Sequence, residues 1–255
     1  MELRNNGALL VGTKRVGERV ALRLAAEGVN LAIVYRRSRD EAERLQKTVQ
    51  PLVERTALMQ ADLTIEEDVR RIVGEAEESL GGLRFIINLA SDYPRAPFES
   101  LDSEAWDRAM GTAKSSYLLA VHSARILMKN SGPARGHIVM FSDWAAGETP
   151  YTDYLPYLTA KASVAFMTRG FAAELAQYGI QVNSIAPGPT MRPPDISEES
   201  WQRDVLDLAP LRRESSPDDI ADLVATLLKS ETITGETIRV DSGRHLAGPG
   251  SPTTV

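Results

Sequence analysis

The chain has 255 residues, 43% of them hydrophobic and 25% charged, enough for one large α/β domain around a full core. A net charge of −6 weighs against nucleic acid as the main partner, and the absence of cysteine excludes disulfides, thiolate chemistry and cysteine-ligated zinc. His122, His137 and His245 lack metal-ligand spacing, no apolar run approaches membrane-spanning length, and Met1–Asn6 does not read as a signal peptide. The expectation is a cytoplasmic protein with no metal and no membrane partner.

The apolar run Ala8-Leu9-Leu10-Val11, ending in Gly12, predicts a buried strand followed by a helix from about Val16 to Glu27, stopped at Gly28. Asn30–Tyr35 predicts a second strand, 40–50 a polar helix, 56–61 a third strand ending at Asp62, and Glu66–Leu80 a helix stopped by Gly81-Gly82. A fourth strand at 85–90 precedes a loop over 91–101 and a long helix over 103–128. A fifth strand at 137–141, a polar loop, a second long helix over roughly 153–178 and a sixth strand at 181–185 follow. The segment 190–211 is rich in proline and charge and reads as a flap with a short helix near 198–208. A helix over 218–229 and a strand at 237–240 precede a tail, 247–255, that is expected to fray. Alternating strands and helices, with strands as continuous apolar runs, predict a doubly wound parallel sheet covered by helices on both faces.

The first strand-to-helix turn reads Val11-Gly12-Thr13-Lys14-Arg15-Val16-Gly17. Glycines there let the chain turn tightly and bring helix N–H groups to a pyrophosphate. Lys14 and Arg15 oppose the helix dipole unless a bound phosphate offsets them. An NAD site wants a carboxylate at the end of the second strand, whereas this chain has Tyr35-Arg36-Arg37-Ser38, two guanidinium forks and a hydroxyl suited to a 2′-phosphate. Asp62 would accept from the adenine amino group or cap the next turn.

Tyr157 and Lys161, four residues apart, share one helix face. A fixed cation near a phenol favours the phenolate and lowers its pKa, so Tyr157 can pass a proton to a substrate oxygen or nitrogen.

Together these features resemble the short-chain dehydrogenase/reductase family over residues 7–246. The carriers are the Gly12–Gly17 turn, Asp62-Leu63, Asn88-Leu89-Ala90-Ser91, Tyr157 with Lys161, Asn183, Pro187-Gly188 and Val240-Asp241-Ser242-Gly243. The resemblance implies a Rossmann sheet of seven strands, NADP(H), hydride transfer to a small molecule, and a homotetramer or homodimer. A narrower resemblance is to pteridine reductases and dihydromonapterin reductases. There Lys14-Arg15-Val16-Gly17 is similar to a turn in which arginine replaces the middle glycine and lies by pyrophosphate and pterin. Arg36, Arg37 and Ser38 are similar to an NADPH-binding Arg-Ser, and Ala90-Ser91 with Tyr93 to an Ala-Ser plus an aromatic that stacks on the pterin. Asp143, in Phe141-Ser142-Asp143, stands where most members have the catalytic serine. The chain departs from the family at Val11, where a motif glycine is usual, and at Ala113, where an asparagine organises a proton-relay water. The step from Asp143 to Tyr157 is one residue longer than usual, which leaves open whether Asp143 or Ser142 faces the substrate.

The implied mechanism has Tyr157 protonate the heteroatom of a C=N or C=O bond, Lys161 hold the nicotinamide ribose and depress the Tyr157 pKa, and Asp143 orient Tyr157 or relay the proton. Thr190 bonds the carboxamide. Arg15, Ser91 and Tyr93 line the substrate side. Rival substrates are dihydropterin-like heterocycles and other carbonyls such as 3-oxoacyl thioesters, sugars or ketones; a non-catalytic NADP-binding protein is the third reading.

Overall fold

The structure is a computed structural model that describes residues 1–192 and 196–247; the expected tail from 248 and residues 193–195 of the expected flap lie outside the described residues. The strands are β1 (Gly7–Val11), β2 (Asn30–Tyr35), β3 (Thr56–Gln60), β4 (Phe85–Asn88), β5 (Gly136–Phe141), β6 (Ile180–Pro187) and β7 (Thr237–Val240). All pair in parallel, in the order β3-β2-β1-β4-β5-β6-β7. The helices are α1 (Val16–Ala26), α2 (Arg39–Val49), α3 (Glu66–Leu80), α4 (Ser103–Leu127), α5 (Leu155–Leu175), α6 (Glu198–Trp201) and α7 (Pro217–Lys229).

Alternation along each strand decides which helices it meets. Leu9 and Val11 point to one face, where α3, α4 and α5 supply Ile72, Leu119 and Val164. Ala8 and Leu10 point to the opposite face, where α1, α2 and α7 supply Val20, Leu45 and Val224. A strand buried on both faces is apolar at nearly every position, which is why β1, β2 and β4 read as apolar runs with an asparagine only at an end of β2 and β4. A third, smaller cluster stands apart from both: Ala145, Tyr157 and Leu158 are buried together, with Trp144, Tyr151 and Tyr154 packed around them.

Local chemistry sets the ends. Gly81 closes α3 in the left-handed conformation, the Asp102 side chain accepts from Ala105 N at the start of α4, and the Ser216 hydroxyl accepts from Asp218 N and Asp219 N at the start of α7. The expected start of α5 near 153 moves to Leu155, because Asp153 takes a positive φ of 68° and Pro156 suits only the first turn. β6 runs on to Pro187, two residues past the expected end, pairing with β7 up to Val240. In the flap, α6 gives way to one π-helical stretch over Gln202–Leu206.

Strand order reverses between β1 and β4, so the connections leaving these two strands diverge to opposite faces. The crevice at their carboxyl ends is where open α/β sheets bind ligands.

Candidate active site

That crevice is a cleft of about 2290 Å³, and it gathers almost every residue expected at the site. At one end lies the turn after β1. Gly12 has φ +97°, and a side chain there would press on Leu89 of the β4 loop. A Cβ on Gly17 would fall inside the van der Waals shell of the Gly12 carbonyl oxygen, so only glycine lets α1 begin this close to β1. Arg15 occupies the N-cap of α1 at φ 54°, ψ −113°, a conformation that suits glycine, and its Nη2 donates to the Met191 carbonyl at 2.6 Å. Lys14 pairs with Glu41 at 2.9 Å on the surface. Val16, beside them, lines the same wall.

At the end of β2, Tyr35, Arg36, Arg37 and Ser38 line the cleft. Arg36 and Arg37 are exposed. Among the described residues, the carboxylate neighbours of Arg36 are loose, Asp62 at 4.0 Å and Asp92 at 3.8 Å. Ser38 is the N-cap residue of α2, yet its hydroxyl makes no cap bond. Asp62 Oδ1 accepts from Thr64 N and Thr64 Oγ1, bonds that hold its carboxyl below the usual range, so it caps the turn after β3; Leu63 is buried beside it. Ala90, Ser91, Pro187, Gly188 and Thr190 complete the floor, with the Thr190 hydroxyl donating to Gly188 O at 2.8 Å.

One expected cofactor residue does not line the cleft. Asn88 is buried and does not reach the cleft; its Nδ2 donates to Ser116 Oγ at 3.1 Å and its Oδ1 accepts from Ala90 N at 3.2 Å. It holds the β4 turn to α4 instead. At Ala113 the methyl group is buried, and the nearby Ser115 hydroxyl donates to Gly111 O at 2.6 Å.

At the other end, the Tyr157 hydroxyl donates to Asp143 Oδ2 at 2.9 Å, and Asp143 Oδ1 accepts from Ala145 N. Ser142 turns the opposite way: it is buried, and its hydroxyl donates to Lys161 O at 2.9 Å on the backbone of α5. Of the two residues left open by the sequence, Asp143 therefore faces Tyr157, and Ser142 is committed to packing the helix. Lys161 is 3% exposed, and its Nζ donates to Phe141 O at 2.8 Å.

The electrostatics correct a second expectation. Burial first, and then the charge of Asp143, push the Tyr157 phenol well above its ordinary 10.0; Lys161 does not depress it. The ammonium lies 5.8 Å from the ring centroid and is itself driven down to about 8 by burial, with Asp143 opposing. Burial also raises the Asp143 carboxyl above the usual carboxylate range, despite the bonds from Ala145 and Tyr157 that favour its charge. The site thus holds its protons: a neutral phenol against a carboxyl that resists ionisation.

The sequence reading passed over an aromatic wall. Tyr93 stacks on Tyr154 (centroids 4.3 Å apart) and meets Tyr157 edge-on at 4.8 Å, while Trp144 stacks on Tyr151 at 6.0 Å. Arg244 closes the row over the Trp144 ring at 5.1 Å. The available signal was the density of rings in a polar loop: Trp144, Tyr151 and Tyr154 all fall between Asp143 and Tyr157.

The fold and this site define a class of protein. A family model described as Enoyl-(Acyl carrier protein) reductase matches residues 12–245. The chain belongs to that family, the short-chain dehydrogenases/reductases, and is an oxidoreductase. Among relatives, the 3-oxoacyl-[acyl-carrier-protein] reductase FabG of Staphylococcus aureus is 29% identical over 94% of this chain and 98% of its own length. The FolM alternative dihydrofolate reductase 1 of Brucella canis, solved in complex with NADP, is 29% identical with a TM-score of 0.87 over 100% of both chains. A short chain dehydrogenase from Burkholderia cenocepacia, also in complex with NADP, is 27% identical with a TM-score of 0.86, covering 96% of this chain and 99% of its own.

Proposed function

We propose that the protein is an NADPH-dependent reductase of a C=N or C=O bond in a flat, polar heterocycle of the dihydropterin type. The cofactor is NADP(H). The glycine cradle at Gly12 and Gly17 and the exposed Arg36 and Arg37 fit its pyrophosphate and 2′-phosphate, and the two NADP-complexed relatives support the same assignment. Bound in this cleft, NADPH supplies the hydride.

The protein supplies the proton and the orientation. Tyr157 gives its phenolic proton to the substrate heteroatom. Asp143 accepts from the Tyr157 hydroxyl at 2.9 Å and so orients it; when protonated, a form that burial favours, it returns a proton to the Tyr157 oxygen along the same contact. Lys161, as the family resemblance implies, holds the ribose hydroxyls. The ring of Tyr93, in a residue still 57% exposed, offers a face to a planar substrate. The observation that carries the reading is this Tyr157–Asp143 pair set against an aromatic wall, a carboxyl standing where a serine is usual.

A second reading, reduction of 3-oxoacyl thioesters or other ketones, is favoured by the likeness to the Staphylococcus reductase. An NADPH-oxidation screen over dihydropterins, quinonoid pterins, 3-oxoacyl thioesters and diketones separates the two. Turnover confined to thioesters or diketones would overturn the heterocycle. NADPH binding without turnover on any of them would favour a non-catalytic protein. The exposed Tyr117 on α4 and Phe166 on α5 support assembly into a homodimer or homotetramer.

A further inference from the structure

Arg244 is 8% exposed, sits in the short 3₁₀ turn after β7, and lines the cleft. Its guanidinium lies 5.1 Å over the Trp144 ring, and its Nη1 is buried without a hydrogen-bond partner among the described residues. The carboxylate nearest in sequence favours its charge from nearby but makes no hydrogen bond to it. Asp241 Oδ1 accepts from Gly243 N, and Oδ2 accepts from His245 N and meets His245 Nδ1. Buried donors are almost always paired, and a buried charge left unpaired is costly. Other cations of the cleft are placed differently: Lys14, Arg15, Arg36 and Arg37 cluster at the phosphate end, Arg95 is paired with Asp153 at 2.7 Å, Lys161 donates to Phe141 O, and Arg108 and Lys114 on α4 are exposed to solvent rather than buried. Trp144 directly follows Asp143, so Arg244 stands at the substrate end of the cleft, one residue along from the proton machinery.

We propose that Arg244 is the residue that reads an anionic group on the substrate, binding a carboxylate borne by the ring whose C=N or C=O bond is reduced. The inference rests on the reductase reading above and narrows its substrate class to acids. The aromatic row from Tyr93 to Trp144 carries the planar part, and Arg244 ends the row with a fork matched to carboxylate geometry. Cation–π contact with Trp144 fixes the plane of the guanidinium before the ligand arrives.

The test titrates pterin-6-carboxylate and 6-methylpterin into the NADP⁺-saturated protein, following quenching of tryptophan fluorescence, with benzoate and benzamide as a second, non-pterin pair. The wild type is expected to prefer the acid of each pair by about tenfold or more, the scale of a charge-assisted bidentate bond in a buried site. Arg244→Met is expected to abolish the preference while NADP⁺ affinity stays within about twofold, and Arg244→Lys to keep part of it. No preference in the wild type, or a preference that survives Arg244→Met, overturns the proposal. If Arg244→Met does not fold, equal preference in Arg244→Lys and wild type overturns it, because a point charge would then do as well as the fork. Preference for benzoate over benzamide with no binding of either pterin supports Arg244 as the acid reader while sinking the pterin ring, so the two readings fail separately.

Discussion

The Tyr157 phenol and the Asp143 carboxyl lie 2.9 Å apart with both pKa values pushed upward, and each makes its own kinetic prediction. Tyr157→Phe removes only the proton-carrying oxygen, so turnover should fall by about 10²–10⁴-fold with NADPH affinity unchanged in a fluorescence titration. Near-normal turnover would remove Tyr157 from the chemistry. A carboxyl that donates a proton is competent below its own pKa, so wild-type kcat should decline as pH rises through the raised Asp143 value, above the ordinary carboxylate range. Asp143→Asn should lower kcat and flatten that limb. Ser142→Ala should leave its position unchanged, since the Ser142 hydroxyl is bonded to the α5 backbone. Lys161 predicts a stability effect of opposite sign. Its folded pKa of about 8 lies below the ordinary 10.5, so between these values the unfolded chain binds more protons and the cofactor-free protein gains stability from this group as pH rises. Lys161→Met should accordingly stabilise the cofactor-free protein at pH 7, on the order of 1–3 kcal/mol by chemical denaturation, while turnover is lost. A destabilised variant would show that the bond to Phe141 O outweighs the burial of the charge.

At the scale of elements, the end of β2 is where the proposed reading puts the choice of cofactor. Replacing Arg36 and Arg37 together by alanine should weaken NADPH binding by about tenfold or more and leave NADH nearly unaffected, because only NADPH carries the 2′-phosphate. Equal losses in paired titrations would place both side chains outside the site. The placement of these residues was legible in the sequence because it is local: Gly12 and Gly17 answer to a turn, and Arg36 and Arg37 to a strand end. Gly28 and Gly81 likewise marked helix stops that the structure keeps. What was not legible depends on direction and on long-range packing. Ser142 and Asp143 are adjacent, and which of them faces Tyr157 depends on how the chain leaves β5, where Ser142 N still donates to Ile185 O of β6. Asn88 carries a family motif, yet its partner Ser116 lies on α4, which spacing along the chain does not disclose. Lys161 looked able to activate Tyr157 from helix periodicity alone; its burial against Phe141 O belongs to tertiary structure. The place of Arg244 over the Trp144 ring joins two distant parts of the chain, which spacing does not disclose.

Across the whole molecule, one parallel sheet separates two large apolar layers, and both are anchored in β1 through the alternation of Leu9 and Leu10. The end of the cleft that holds Tyr157 belongs to neither layer. Tyr157 and Leu158 are buried instead in the small cluster around Ala145, roofed by Trp144, Tyr151 and Tyr154. Fewer buried groups hold this corner than hold the sheet, and local opening costs least where least is buried. The consequence is an order of failure on heating: the catalyst should stop before the fold melts. Residual activity after brief heating in the presence of the reaction mixture should fall with a midpoint below the global unfolding temperature, and tyrosine and tryptophan near-UV dichroism should follow activity rather than the far-UV signal of the helices. Coincident midpoints would mean that the aromatic corner and the sheet unfold as one unit.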